Sequence, residues 1–142
     1  SIIATFRSWG HGDPVETQWH PGGYAIIAYR DAASVRALAP DFRALKESGD
    51  VLYIATAPGD GDPSGADVVS RAFAPGAGID EDPVTGSAHS VLTPYWAARL
   101  GRDAFAAYQA SARGGHVGCR LDGDMVELTG NCVTTLVGDF LL

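Results

Sequence analysis

The sequence predicts an α+β domain. One apolar stripe of helical period runs through residues 88–100, and short β-forming runs lie on both sides of it. No repeat, low-complexity tract or linker divides the 142 residues. A chain of this length holds one domain with a core of its own, and 46% hydrophobic against 19% charged residues is the balance of a chain that folds. Residues 1–142 are therefore read as a single domain, with 1–23 carrying the weakest pattern.

Taken in order, SIIATFR (1–7) reads as a strand and residues 8–23, with GHGDP and HPGG, as loop. YAIIAY (24–29) is a short apolar run rich in β-formers, the mark of a buried strand. Asp31 caps a short helix through Leu38 that Ala39-Pro40 ends, and DFRALKES (41–48) makes a second short helix or turn. VLYIATA (51–57) and VVSRAF (68–73) are strands around a glycine-rich loop. A helix begins near Ser87. Its apolar positions Ala88, Val91, Leu92, Tyr95 and Trp96 keep the i, i+3, i+4, i+7, i+8 spacing, and Gly101 is a natural stop. Pro94 falls inside this helix, where it removes one backbone bond. The stripe crosses it without a phase break, which predicts one kinked, buried helix rather than two. FAAYQASA (105–112), HVGCRL (116–121), DMVELT (124–129) and CVTTLV (132–137) read as β, with a hairpin at Asp122-Gly123 and a turn at Gly130-Asn131. The apolar ending GDFLL predicts a docked terminus.

Composition excludes several functions. Net charge is −7, and the basic residues are scattered without aromatic interleaving, so no nucleic-acid surface is expected. No apolar run approaches ~20 residues and no signal-peptide pattern opens the chain, so the expectation is no membrane and a cytoplasmic protein. Cys119 and Cys132 form no CxxC and read as small buried hydrophobes in a reduced compartment, with a disulfide left open. The only methionine is Met125 and the chain begins at Ser1. Removal of an initiator and excision from a longer protein both account for that.

The motif search narrows the chemistry. In DGDPSGAD (60–67), Asp60, Asp62, Ser64 and Gly65 match the start of a calcium loop. The position that needs a bidentate glutamate is Arg71, a cation that repels metal. His11, His20, His89 and His116 show no ligand spacing, so no metal is expected. No P-loop, dinucleotide fingerprint or GxSxG elbow occurs. EDPVTGSAH (81–89) remains. Thr85, Gly86 and Ser87 are small and bring backbone N–H groups close to a ligand, and the helix behind them aims its unpaired amides and positive dipole end at the same spot. The same residues also read as an ordinary helix start capped by Thr85 or Ser87. An anion docked there meets the like charge of Asp82. The arrangement makes sense if Asp82 is protonated, moves a proton, or faces the ammonium of a zwitterion whose carboxylate sits on the amides. His89, one turn into the helix, either packs or lines the pocket.

RAFAPGAGIDEDPVTGSAHSVLTPYWAARLG (71–101), followed by QASARGGHVGCRLDGDMVELTGNCVTTLVGDFLL (109–142), closely resembles the second half of the PhzF-like isomerases, the phenazine-biosynthesis PhzC/PhzF family. RALAPDFRAL (36–45) and VLYIATA fit as well, so the likeness covers roughly residues 24–142. The resemblance implies the diaminopimelate-epimerase-like fold, in which each of two similar domains wraps a curved, mostly antiparallel sheet around a central helix and the active site lies between them. It implies cofactor-independent, metal-free isomerase chemistry. The best-known member isomerises a dihydro-hydroxyanthranilic acid by proton shuttling. Related epimerases use cysteines as acid and base, but none lies in residues 71–101, so a two-cysteine mechanism is not expected. Asp82 matches the family's active-site aspartate, and Gly86 and Ser87 its substrate-binding positions, to which Thr85 and His89 are added as candidates. The family's acid/base glutamate, with a histidine beside a glycine, has no counterpart here.

The expected substrate is therefore a small carboxylate or amino-acid-like molecule. The expected partner is a missing amino-terminal domain or a second copy, as in a homo-oligomer such as a dimer. A non-catalytic module that binds small anions is the alternative from another class.

Overall fold

The computed structural model describes residues 12–141, so the strand expected over residues 1–7 lies outside the described residues. The chain builds one eight-stranded sheet: β1 (Glu16–His20), β2 (Tyr24–Ala28), β3 (Leu52–Pro58), β4 (Val68–Ala74), β5 (Ile79–Asp82), β6 (Ala104–Gln109), β7 (Gly115–Asp122) and β8 (Met125–Thr129). The strand order is β1-β2-β3-β4-β6-β7-β8, with β5 set on β4 beside this path. The β2–β3 and β4–β6 pairs are parallel and the others antiparallel. Parallel neighbours need crossovers. Two short helices, α1 (Ala32–Arg36) and α2 (Phe42–Lys46), lie in the first crossover, and the long helix α3 (Gly86–Leu100) lies in the second.

The continuous apolar runs of the central strands follow from burial on both faces. Ala25 and Ile27 of β2 join Tyr53, Ala55, Val69 and Phe73 in a core closed by Val35, Leu38 and Leu45 of the α1–α2 region. Their alternates Ile26, Ala28, Ile54, Val68 and Ala72 face Ala88, Leu92, Tyr95 and Trp96 of α3. The sheet curls around α3 as a half-barrel, the α+β, diaminopimelate-epimerase-like arrangement expected. Asp31 and Asp41 cap the short helices, accepting from Ser34 N at 2.8 Å and Ala44 N at 3.1 Å. Helix α3 runs unbroken through Pro94 and ends at Gly101, whose φ of 66° is left-handed. Pro94 has no N–H to offer the Ser90 carbonyl, and both residues are exposed, so water can take that bond. Among the described residues no helix is long and apolar enough to cross a membrane.

The free edge of β4 is divided. Val68, Val69 and Ser70 pair with Ala107, Tyr108 and Gln109 of β6, whereas Ala72 and Ala74 pair with Asp82 and Ile79 of β5. The sheet thus forks at β4, with Asp82 on one prong and Gln109 on the other.

Five expectations change. Residues 16–20 are not loop: they pair with 24–28 as an edge strand whose side chains are mostly exposed, so backbone bonding rather than an apolar pattern defines it. The hairpin loop is Gly123-Asp124, because Asp122 already pairs with Met125. Residues 132–137 form no strand and the terminus is not docked. Val133, Leu136, Val137, Phe140 and Leu141 are 85–93% exposed, because no strand edge among the described residues receives them. Cys132 lies on that arm and is exposed, whereas Cys119 is buried as expected; both are free thiols.

Candidate functional site

The three consecutive acids before α3 have three different fates. Asp80 is exposed to solvent. Glu81 is clasped by Arg71, whose Nε and Nη2 each donate to one carboxylate oxygen at 2.8 Å. Nη1 of the same guanidinium reaches the carbonyls of Val35, Arg36 and Leu38 at 3.3, 3.2 and 2.7 Å, so Arg71 is committed to holding β5 and the end of α1 together. Asp82, the last residue of β5, is the one turned to the start of α3.

Thr85 is the N-cap of α3, yet its side chain caps nothing. Its hydroxyl donates to Asp82 Oδ2 at 2.5 Å. Its N–H donates to Gln109 Oε1 at 2.7 Å, and Gln109 Nε2 donates to the Asp82 carbonyl at 2.7 Å and to Thr85 Oγ1 at 3.0 Å. Among the described residues no acceptor meets the N–H groups of Gly86, Ser87 or Ala88, the first amides of the helix. Gly86 and Ser87 are exposed, and a side chain added at Gly86 would meet nothing within 4 Å. Unpaired amides at the positive end of a fifteen-residue helix are able to receive an anion without any lysine.

Two pockets flank this helix start. One, of about 360 Å³, is lined by Tyr24, Asp50, Ile79, Asp82, Thr85 and Ser87. The other, of about 670 Å³, is lined by Val84, Gly86, Arg113, His116, Leu128 and Asn131, among others. The first sets Ser87 of the helix start against two carboxylates, Asp50 and Asp82, which suits a molecule bearing both signs of charge, while Gly86 lines the second. Asp50 had no signal in the sequence, because it reaches the pocket only through the fold.

His89 is fully buried, with Nδ1 2.7 Å from the Thr85 carbonyl oxygen. A carbonyl only accepts, so Nδ1 carries the proton. Burial lowers the pKa of the ring, against a smaller raising effect of the Thr85 bond, and keeps it neutral. His89 therefore sits behind the loop and braces Thr85 from within. Its Nε2 has no partner among the described residues. Of the residues the sequence singled out, Asp82, Thr85 and Ser87 line the first pocket, Gly86 lines the second, and His89 lines neither, being packed behind the loop rather than facing a ligand. Arg36 and Ser64 occupy Asp62 of the calcium-like loop, and no group of three or more His, Cys, Asp or Glu side chains suited to a metal occurs among the described residues.

The model of the PhzC-PhzF family, described as phenazine biosynthesis-like protein, matches residues 10–138. The chain belongs to this family. An uncharacterized isomerase of Pseudomonas aeruginosa is 46% identical over 113 residues, 80% of this chain and 42% of that protein. A human phenazine biosynthesis-like domain-containing protein is 44% identical over 94 residues, 66% of this chain and 32% of its own length. A solved PhzC/PhzF protein from Clostridium difficile superposes with a TM-score of 0.79 at 31% identity, covering 97% of this chain and 51% of that one. A PhzF-family structure from Enterococcus faecalis gives 0.72 at 33% identity, covering 94% of this chain and 51% of that one. The chain thus spans about half the length, or less, of these PhzC-PhzF relatives.

Proposed function

We propose that this chain is the carboxylate-binding half of a PhzF-like isomerase acting on a small carboxylate or amino-acid-like substrate. The observation that carries the reading is the diverted cap. The Thr85 hydroxyl turns to Asp82, and the amides of Gly86 and Ser87 stay open to a substrate carboxylate. Asp82 faces the ammonium or takes part in moving a proton. Isomerisation of this kind removes a proton at one atom and returns one at another, with no net redox change, so it consumes no oxidant or reductant. The main acid/base residue comes from a partner, the missing amino-terminal half or a second copy of this chain. The exposed apolar arm over residues 130–141 supports a partner of that kind, because it offers a surface that the described residues leave uncovered.

The test is solvent-to-substrate deuterium exchange, followed by proton NMR over a panel of amino-acid-like carboxylates, with and without the amino-terminal half. Exchange is expected only with both halves, and should fall at least ~100-fold in Asp82→Asn. Exchange by this chain alone would contradict the division of labour. Ligand binding without exchange in any combination would favour the non-catalytic anion module.

A further inference from the structure

We infer that Gln109 is the positioning residue of this site: it holds the Thr85 hydroxyl away from the helix it precedes, so that Asp82 keeps a fixed donor and the first amides of α3 stay available. This rests on the carboxylate-binding reading above.

Gln109 ends β6 on one prong of the forked sheet, in register with Ser70, and is fully buried. A buried glutamine must satisfy both ends of its amide. Here every bond goes to the loop between the prongs and none to the core. Oε1 takes the Thr85 N–H, and the two Nε2 protons go to the Asp82 carbonyl and Thr85 Oγ1. The amide orientation is fixed by chemistry, because a backbone N–H demands the oxygen and a backbone carbonyl demands the nitrogen. The Nε2–H occupies one lone pair of the Thr85 hydroxyl, whose single proton then points to Asp82 Oδ2. An N-cap threonine ordinarily accepts from the second or third amide of its helix, here Ser87 or Ala88. Without Gln109 the hydroxyl is free to swing to that position and compete with any bound carboxylate.

The experiment uses the ¹⁵N-labelled chain and sodium acetate as the probe, reading the amide signals of Gly86, Ser87 and Ala88. In the unsubstituted chain these signals shift saturably. In Gln109→Met, close in volume but unable to make the three bonds, acetate affinity falls about fivefold, the ratio that one capping bond is worth. The Ala88 amide also becomes more protected from hydrogen exchange. Adding Thr85→Ala removes the competing cap and restores affinity to within about twofold. A merely structural glutamine would show neither the gain in protection nor the rescue. If Gln109→Met does not fold, Gln109→Asn, one methylene short of the loop, is read by the same signals and should move in the same direction. Failure of the unsubstituted chain to bind acetate overturns the carboxylate reading itself. Normal acetate binding with unchanged affinity and Ala88 protection in the substituted chains overturns the role of Gln109 alone.

Discussion

Replacing Arg71 with methionine should cost about 2–3 kcal/mol of folding free energy. Methionine keeps an apolar stem against Phe73, over whose ring the guanidinium carbon stands at 5.0 Å, and removes only the polar work. That work is two charged bonds to Glu81 and three to the carbonyls of Val35, Arg36 and Leu38. Breaking a fully buried pair costs about 3–5 kcal/mol. The Glu81 side chain keeps 21% of its exposure and can rehydrate, so the figure falls below that range. The carbonyls around the end of α1 lose their donor as well, which keeps the cost above that of a surface pair. With a urea slope of about 2 kcal/mol per molar, the unfolding midpoint should drop by about 1–1.5 M with the slope unchanged. Glu81→Gln leaves Arg71 its carbonyls and should cost about 1 kcal/mol. A midpoint change below about 0.3 M in Arg71→Met would refute the view that this guanidinium clasps β5 to the helical layer.

Further outcomes follow from the same geometry. Gly76→Ala should lower the thermal midpoint by at least about 5 °C, because its Cβ would overlap the Gly49 carbonyl and both are backbone; Gly138→Ala, which meets nothing, is the control expected to melt unchanged. Trp96→Phe should cost about 1–2 kcal/mol in urea titration, since the indole N–H bond to Thr56 Oγ1 at 3.0 Å is buried. Burial lowers the His89 pKa from its ordinary 6.5, so the unfolded chain binds the proton more readily and folding stability falls as pH drops below about 6.5. That slope, up to about 1.4 kcal/mol per pH unit, should flatten in His89→Gln, and an identical slope in both proteins would assign the effect elsewhere.

Helix α3 was legible because its period, its loop entry and Gly101 all agree, and β2, β3 and β4 because strands buried on both faces are written as unbroken apolar runs. Strand β1 was not, since ETQWH is an edge strand defined by its partner rather than by its own side chains. The arm shows the opposite case. CVTTLV reads plainly as β, but a pattern names a tendency to pair and not the chain that supplies the pair. At the site, EDPVTGS is contiguous and announced itself through its small residues and helix start, and the family resemblance implied roles for Asp82, Gly86 and Ser87. Gln109 stands 24 positions from Thr85 and Asp50 lies farther back in the chain, and nothing local marks either one. Only the fold brings them to the loop.

The forked edge of β4 ties the geometry of the proposed site to the alternation of a strand. A shift of β6 by a single residue would present Tyr108 or Ala110 where Gln109 stands, and would also carry Phe105 and Ala107 out of the core around α3. Damage to the one cannot be separated from damage to the other, so a variant that slips here loses its fold along with the bonds that hold the Asp82–Thr85 loop, and drift toward a stable protein altered only at that loop is closed by this route.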